Sequence, residues 1–270
     1  MSVEAGTVDR AAHQIEFQKR FRARFVSETP GWYHGLLHLG FTLTVTMGTA
    51  VICWINIVDA TVWEWLIAVP IFLFGNWCEW AGHRWLLHRP VPGLRAIYLR
   101  HAGVHHQFFT SYNLAYKGHR EWRALLFPPF APVAFLLAAA PAAIFLWAIW
   151  SANAGLIVMF TMAAYFLMYE GLHTSAHLVG PRWKWLRHVP LINTVRYLHV
   201  AHHDLGLMQS WNFNLTFPIC DALFGTCTID RSLLGTLFNG EDETHLRAGI
   251  RRETPPDDVG EGASASTGAA

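Results

Sequence analysis

The chain has 270 residues, of which 53% are hydrophobic and only 14% charged, whereas soluble domains average about 25% charged residues. This composition argues against a water-soluble globule, and the formal net charge of +1 argues against a nucleic-acid partner, which needs a strongly basic surface. Histidine is unusually frequent, with 16 His against 20 Lys and Arg together.

Residues 1–35 are predicted to form a cytosolic amphipathic leader. The segment has no apolar stretch close behind Met1, so it does not resemble a cleaved signal peptide. Ile15, Phe17, Phe21 and Phe25 fall largely on one side of a helix whose other side is cationic. This pattern favours a helix lying on an anionic membrane surface. A solvated basic leader without lipid contact is the alternative.

Four stretches approach the length of about 20 apolar residues that a bilayer core requires. They predict an all-α integral membrane protein with transmembrane helices at about 36–58, 62–80, 125–150 and 154–169. The connections 59–61 and 151–153 are so short that the helices must form two antiparallel hairpins. The competing interpretation, a buried soluble core for the third and fourth stretches, lacks a polar sequence that would enclose them.

The distribution of Lys and Arg predicts the orientation, because cytoplasmic segments carry the excess of these residues. None lies in the two short turns. We therefore expect a multi-pass protein with both termini in the cytoplasm, and a bacterial inner membrane is favoured over the endoplasmic reticulum.

The rest of the membrane-embedded domain, 36–240, is predicted to be a helical cytosolic cap made of residues 81–124 and 170–240. Residues 241–270 contain few large apolar side chains and are predicted to be a disordered tail. The four cysteines form no closely spaced pair, so we expect buried thiols rather than a disulfide or zinc site.

Ten of the histidines form four closely spaced boxes on the predicted cytoplasmic side. The spacings are HX4H, HX3HH, HX3H and HX2HH. We predict that all ten are metal ligands, and that no catalytic residue is needed beyond the metal site. The ten are His83, His88, His101, His105, His106, His173, His177, His199, His202 and His203.

The spacing indicates how these side chains meet. Residues three and four apart share a helix face, so His199, His202 and His203 are expected to converge on one point, as are His101 with His105 and His173 with His177. Ten imidazoles exceed the coordination of one ion, so we predict two metals. His83 and His88 are five apart and point to different sides of a regular helix, so they serve different metals or lie where the helix ends.

Metal-bound imidazoles usually donate their second N–H to a carboxylate or carbonyl group. Glu79, Glu170 and Asp204 lie close to boxes and are predicted acceptors, with a helix cap as an equal alternative for Asp204. The remaining six histidines are expected to be structural, although His119 and His188 are candidates for orienting substrate. The other four are His13, His34, His38 and His245.

At this point the sequence resembles the fatty acid hydroxylase and sterol desaturase superfamily of integral-membrane histidine-box di-iron oxygenases. The matching segments cover about residues 76–228. They are HRWLLH (83–88), HAGVHH (101–106), GLHTSAH (171–177), YLHVAHH (197–203) and WNFNLTFPICDALFGT (211–226).

The resemblance implies an oxidoreductase that uses two iron ions and O2 to attack an unactivated C–H bond of a membrane lipid. Zinc could replace iron in isolated protein. The lipid would be a fatty acyl, sphingolipid or ceramide, or sterol-like molecule, and the reaction a hydroxylation or a desaturation. The extra HX3H box and Phe127-Pro128-Pro129 are similar to the fatty acid and ceramide 2-hydroxylase branch. Two departures from that branch leave a sterol desaturase or C4-methyl oxidase reaction open. The second box has three residues before its doublet where that branch commonly has two, and no cytochrome b5 module precedes the membrane part.

No glycine-rich dinucleotide fingerprint occurs in the chain, so electrons are expected from an external ferredoxin, cytochrome b5 or reductase. Two alternatives belong to other classes. A membrane metal transporter would place polar residues near the bilayer midplane, and the boxes lie at one end of the spans. A haem protein would need only one or two axial histidines per haem.

Overall fold

The computed structural model describes the backbone of residues 2–238 and 243–250, and side chains from residue 12 onward within those ranges. The described part is all-helical, as predicted. The α-helices are α1 (Ser2–Ser27), α2 (Gly35–Asn56), α3 (Val62–Trp65), α4 (Ala68–Gly82), α5 (Arg95–Arg100), α6 (His106–Phe108), α7 (Trp122–Leu125), α8 (Ala131–Ile149), α9 (Ala152–His177), α10 (Pro190–His202), α11 (Ile219–Leu223) and α12 (Leu233–Phe238).

Three of these helices, α2, α8 and α9, are long and apolar enough to cross a membrane. Helices α2 and α8 present large apolar side chains outward, including Trp54, Leu137 and Ile144. Such a continuous exposed apolar surface is costly in water and ordinary in lipid. These features are those of a membrane protein.

The second predicted span, 62–80, is divided into α3 and α4. Thr61 and Glu64 form a reciprocal capping box at the start of α3, and a turn at Leu66–Ile67 separates it from α4, which has 15 residues. At 1.5 Å per residue, α4 alone covers about 22 Å, less than the roughly 30 Å of a bilayer core.

The two short turns of the predicted hairpins are bonded to each other. Asn153 donates from its amide to the Val58 carbonyl at 2.8 Å and accepts from the Val58 N–H at 3.2 Å. Ser151 donates to the Glu64 carboxylate. Because the turns lie together, α4 and α9 both start at this end and run in the same direction, towards the histidine boxes.

Helix α9 is the centre of the bundle and is longer than predicted. It packs against α2, α4, α8 and α10 and continues to His177 rather than ending near Tyr169. The third histidine box therefore lies on the last two turns of a candidate membrane helix, so its position is fixed by the packing of the whole bundle.

A glycine allows the closest approach between α8 and α9. A Cβ atom at Gly155 would lie 2.7 Å from the Ala143 carbonyl oxygen and 2.9 Å from the Trp147 Cβ, whereas Gly171 in the same helix has nothing within 4 Å. We expect Gly155→Ala to lower the thermal midpoint because α8 must move away. The matched Gly171→Ala should raise stability by about 0.5–1 kcal/mol. Thermal unfolding in detergent measures both, and equal midpoints would contradict this packing.

The leader forms a helix, α1, and two of its three phenylalanines contact the cap, whereas Phe17 is 48% exposed. Phe21 and Phe25 pack against a buried cluster of the cap that contains Phe108, Phe109 and Leu114. Two of the side chains predicted to lie in lipid are therefore covered by the cap.

Part of the tail that was predicted to be disordered, residues 241–270, is ordered. Residues 243–250 pack on the cap: Leu246 contacts the cluster around Leu198 and Ile229, and Arg247 donates from Nε to the Cys227 carbonyl at 2.8 Å. Residues 239–242 and 251–270 lie outside the described range. Of the four cysteines, which are free thiols, Cys53, Cys220 and Cys227 are buried as expected and Cys78 is half-buried.

Candidate metal centre

The ten box histidines come together at the end of the bundle opposite the two short turns. Two groups have ligand nitrogens that all lie within 4.8 Å of one another, and every member is buried. Site A consists of His83, His88, His101, His106 and His202; site B consists of His105, His177, His199 and His203. The tenth, His173, lies beside site B, with its Nε2 3.2 Å from that of His105.

Two π-helical turns explain why residues five apart share a site. His83–Leu87 and His101–His105 are π-helical, and the i→i+5 hydrogen bond of a π-turn widens the helix. Residues five apart then lie on one face, so His83 joins His88 and His101 joins His106. Of the two alternatives for His83 and His88, the structure has the second, because α4 ends at Gly82 and the π-turn begins at His83. The rings of His101 and His105 stack, with centroids 5.2 Å apart, but the two residues belong to different sites.

Each histidine doublet is divided between the two sites. His105 belongs to site B and His106 to site A, while His202 belongs to site A and His203 to site B. Adjacent residues on a helix point about 100° apart, so a doublet placed between two ions supplies one ligand to each. The expectation that the whole HX2HH box converges on one point is wrong for His202.

Backbone carbonyls orient five of the imidazoles. A carbonyl can only accept, so the ring nitrogen facing it carries the proton and the other nitrogen, Nε2, has a free lone pair. The Nδ1 atoms of His83, His105, His177, His202 and His203 donate to the carbonyls of Phe213, Ala124, Leu114, Trp211 and Phe109, at 2.6, 3.0, 3.0, 2.7 and 2.5 Å respectively.

The Nε2 lone pairs of these imidazoles face one another, and there are too few N–H groups to form hydrogen bonds between all of them. In site B, Nε2 of His199 lies 3.0 Å from Nε2 of both His177 and His203, and the latter two present lone pairs. A single N–H on His199 can donate to only one of them. A cation between these nitrogens would satisfy all three, so the buried residues fit a metal ion.

Site A brings its nitrogens equally close. Nε2 of His101 lies 2.9 Å from that of His83 and 3.1 Å from that of His106, and the Nε2 atoms of His88 and His202 are 2.9 Å apart. Two nitrogens bound about 2.1 Å from one ion are separated by roughly 3–3.5 Å, so these side chains are placed to share an ion.

Burial keeps the imidazoles neutral. It lowers the pKa of His88 to about 2, of His105 to about 3 and of His202 to about 4. Burial and the neighbouring imidazoles lower the pKa of His101 and His106 well below the ordinary value. Neutral imidazole is the form that binds metals, so these ligands are ready at neutral pH.

The three predicted carboxylate acceptors have other partners. Glu79 accepts from the Tyr165 hydroxyl and from the backbone and side chain of Thr216. Glu170 accepts from the Phe127 N–H. Asp204 accepts from the Gly206 N–H at 2.7 Å in a turn after α10, so it does not cap the start of a helix. Five imidazoles are oriented by backbone carbonyls of the surrounding cap and none of them by these carboxylates. Every residue has a backbone carbonyl, so the sequence does not indicate which ones would serve.

The segment 211–226 supplies the carbonyls that hold His83 and His202, and a buried polar network holds this segment. Asp221 accepts from the N–H groups of Phe213 and Asn214 at 3.0 and 2.7 Å and from the Thr226 hydroxyl at 2.6 Å. Asn76 of α4 donates to the Phe217 carbonyl at 2.8 Å. The WNFNLTFPICDALFGT segment therefore holds the carbonyls of Trp211 and Phe213 beside His202 and His83.

We expect Asp221→Ala to weaken site A more than site B. The substitution leaves three buried donors without their acceptor, each costing about 1–3 kcal/mol. Phe213, whose carbonyl holds His83, also loses the bond that its own N–H makes to Asp221. The protein should melt at lower temperature and retain less metal. Metal analysis after dialysis checks this, with the exposed Asp230→Ala as control; unchanged retention would contradict the role of the segment.

The remaining histidines lie outside both sites where the structure describes them. His38 is buried between the Tyr33 hydroxyl and the Phe127 carbonyl, and His34 stacks on His119 with ring centroids 4.7 Å apart. His188 is exposed and lies beside Arg187. None of these four joins the ligand groups.

Comparisons of the chain with models of protein families, with curated proteins and with solved structures return no match.

Proposed function

We propose that the protein is an O2-dependent, two-metal lipid hydroxylase or desaturase of the membrane. The observation that carries the proposal is the pair of buried, adjacent imidazole groups, with five and four members, at one end of helices long enough to span a bilayer. Burying polar nitrogens without hydrogen-bond partners destabilises a fold. Nine such nitrogens facing one another are therefore expected to serve as metal ligands rather than to stabilise the protein.

In the proposed topology α3 and α4 together form a fourth span, and the two short turns lie outside the cytoplasm. The absence of Lys and Arg from these turns supports this orientation. Both termini and both metal sites then lie on the cytoplasmic side, where electron carriers are available.

We propose iron in both sites. Imidazole ligands suit iron, and the histidine boxes resemble those of di-iron oxygenases, although zinc would occupy the same ligands in isolated protein. Two irons would supply the capacity to activate O2 for oxidation of a C–H bond. The chain itself contributes neutral ligands, carbonyls that fix the ring orientations, and a buried site that excludes water. The electrons would come from an external ferredoxin, cytochrome b5 or reductase.

An apolar groove supports a lipid substrate. It lies between α4 and α9, has a volume of about 400 Å³, and its lining includes Ala68, Phe72, Ala164 and Met168. The two helices that form it run towards the metal sites. A hydrocarbon chain, whether acyl, sphingolipid or sterol-like, is the ligand that such a wall accepts.

Lipid mass spectrometry of cells with and without the gene tests the proposal. We expect a lipid class that gains one oxygen atom or loses two hydrogen atoms only when the gene is present, and that returns to its unmodified mass in cells carrying His106→Ala. A lipidome unchanged under aerobic growth would overturn the proposal. Metal flux into proteoliposomes would instead indicate a transporter.

A further inference from the structure

Helix α1 places two buried polar side chains against the segment that follows the second histidine box. Gln18 and Arg22 are four residues apart and share a face, and they are only 2% and 8% exposed. The opposite face carries exposed ion pairs, Arg20 with Glu16 and Arg24 with Glu28. The buried polar face is therefore the one that contacts the cap.

Gln18 joins the two ends of a short turn. Its Nε2 donates to the carbonyls of Phe108 and Asn113 at 2.9 and 2.8 Å, and its Oε1 accepts from the Thr110 hydroxyl at 2.9 Å. Both donors of the amide and one acceptor position are thus used on residues 108–113. Without this side chain, the Phe108 and Asn113 carbonyls and the Thr110 hydroxyl would lose this partner.

Arg22 holds the next part of the same segment. Its Nη2 donates to the Ala115 carbonyl at 2.6 Å and to Glu121 at 3.0 Å, and its guanidinium lies over the Phe108 ring, 4.6 Å from the centroid. Together the two side chains fix the backbone from residue 108 to residue 115.

That backbone orients the ligands of site B. The Phe109 carbonyl accepts from Nδ1 of His203 and the Leu114 carbonyl accepts from Nδ1 of His177. The Phe109 ring also contacts the rings of His105 and His177, with centroids 5.4 and 4.3 Å apart. Three of the four ligands of site B therefore depend on the segment that α1 holds.

The oriented ligands of site A depend on a different segment. Their carbonyl partners are Phe213 for His83 and Trp211 for His202, and Asp221 holds that segment. Loss of the α1 contacts should therefore affect the two sites unequally.

We propose that Gln18 and Arg22 are positioning residues for site B, so that the leader helix is a clamp on one metal of the pair. The proposal rests on the two-metal function proposed above and adds that the leader controls one metal selectively. Neither side chain contacts the metal ligands directly; both act through the carbonyls of Phe109 and Leu114, which orient His203 and His177.

The test is titration of the purified, metal-free full-length protein with Co²⁺, followed by visible absorption and metal analysis. Wild-type protein should bind two ions per chain. In Gln18→Leu one of the two should bind about 10-fold more weakly, the lower end of the effect of outer-shell partners, while the other is unchanged. Gln14→Leu, the same substitution one turn earlier on α1, is the matched control and should bind both ions normally.

Two further variants keep the test informative if Gln18→Leu does not fold. Thr110→Val is nearly isosteric and removes only the hydroxyl contact with Gln18, so it should weaken the same ion by a smaller factor. Asp221→Ala should weaken the other ion, the one in site A. If wild type binds no Co²⁺, the two-metal function itself fails. If wild type binds two and Gln18→Leu and Thr110→Val bind both equally well, or weaken both ions alike, the clamp is wrong.

Discussion

Replacing His202 with Ala should remove the metal of site A, and replacing its neighbour His203 with Ala should remove the metal of site B. Each substitution deletes a buried ligand whose Nδ1 is already fixed by a carbonyl, that of Trp211 or of Phe109. Each variant should retain about one metal per chain, and both should lose lipid oxidation entirely, because removal of a metal ligand is among the large mutational effects.

Two variants that differ by one position make this experiment specific. Metal analysis gives the stoichiometry, and the absorption spectra of the two Co²⁺-loaded variants should differ and add up to that of the wild type. His188→Ala removes an exposed histidine that lies outside both ligand groups and should keep both metals. Full oxidation by either doublet variant, in correctly folded protein, would show that the assignment of ligands is wrong.

The membership of the metal centre could be predicted from sequence, but its internal arrangement could not. Box spacing identified the nine histidines of sites A and B, because polar nitrogens concentrated in an apolar chain have few other uses. The tenth, His173, was predicted to be a ligand and lies beside site B. The division into sites A and B depends on π-turns at His83–Leu87 and His101–His105. These turns have no strong sequence signal, since they arise where helix packing forces an extra residue into a turn.

The helices show the same limit. The long apolar stretches predicted α2, α8 and α9, since burial in a bilayer requires little else from the sequence. The break at Leu66–Ile67 accompanies the contact of Ser151 with Glu64, and the extension of α9 to His177 accompanies its packing against α10. Both contacts join residues far apart in the chain. Phe21 and Phe25 likewise have the pattern of a membrane-surface helix, and only the position of Phe108 shows that they face protein.

Metal-free protein should lose stability steeply as the pH falls below about 6.5, the ordinary pKa of histidine. Burial holds the folded-state pKa of His202, His105 and His88 at about 4, 3 and 2. Between those values and 6.5 the unfolded chain binds protons that the folded chain does not, so the free energy of unfolding decreases with falling pH. Each group contributes about 1.4 kcal/mol per pH unit.

These three histidines alone account for about 4 kcal/mol per pH unit, a large part of the 5–15 kcal/mol that stabilises an ordinary domain. The measurement is thermal unfolding of metal-free protein in detergent at pH 7.5, 6.5 and 5.5. His202→Ala should reduce the pH dependence by the share of one group. A midpoint that stays constant down to pH 5.5 would mean that the imidazoles take up protons in the folded state. Two groups of neutral, metal-ready ligands would then be the wrong description of this centre.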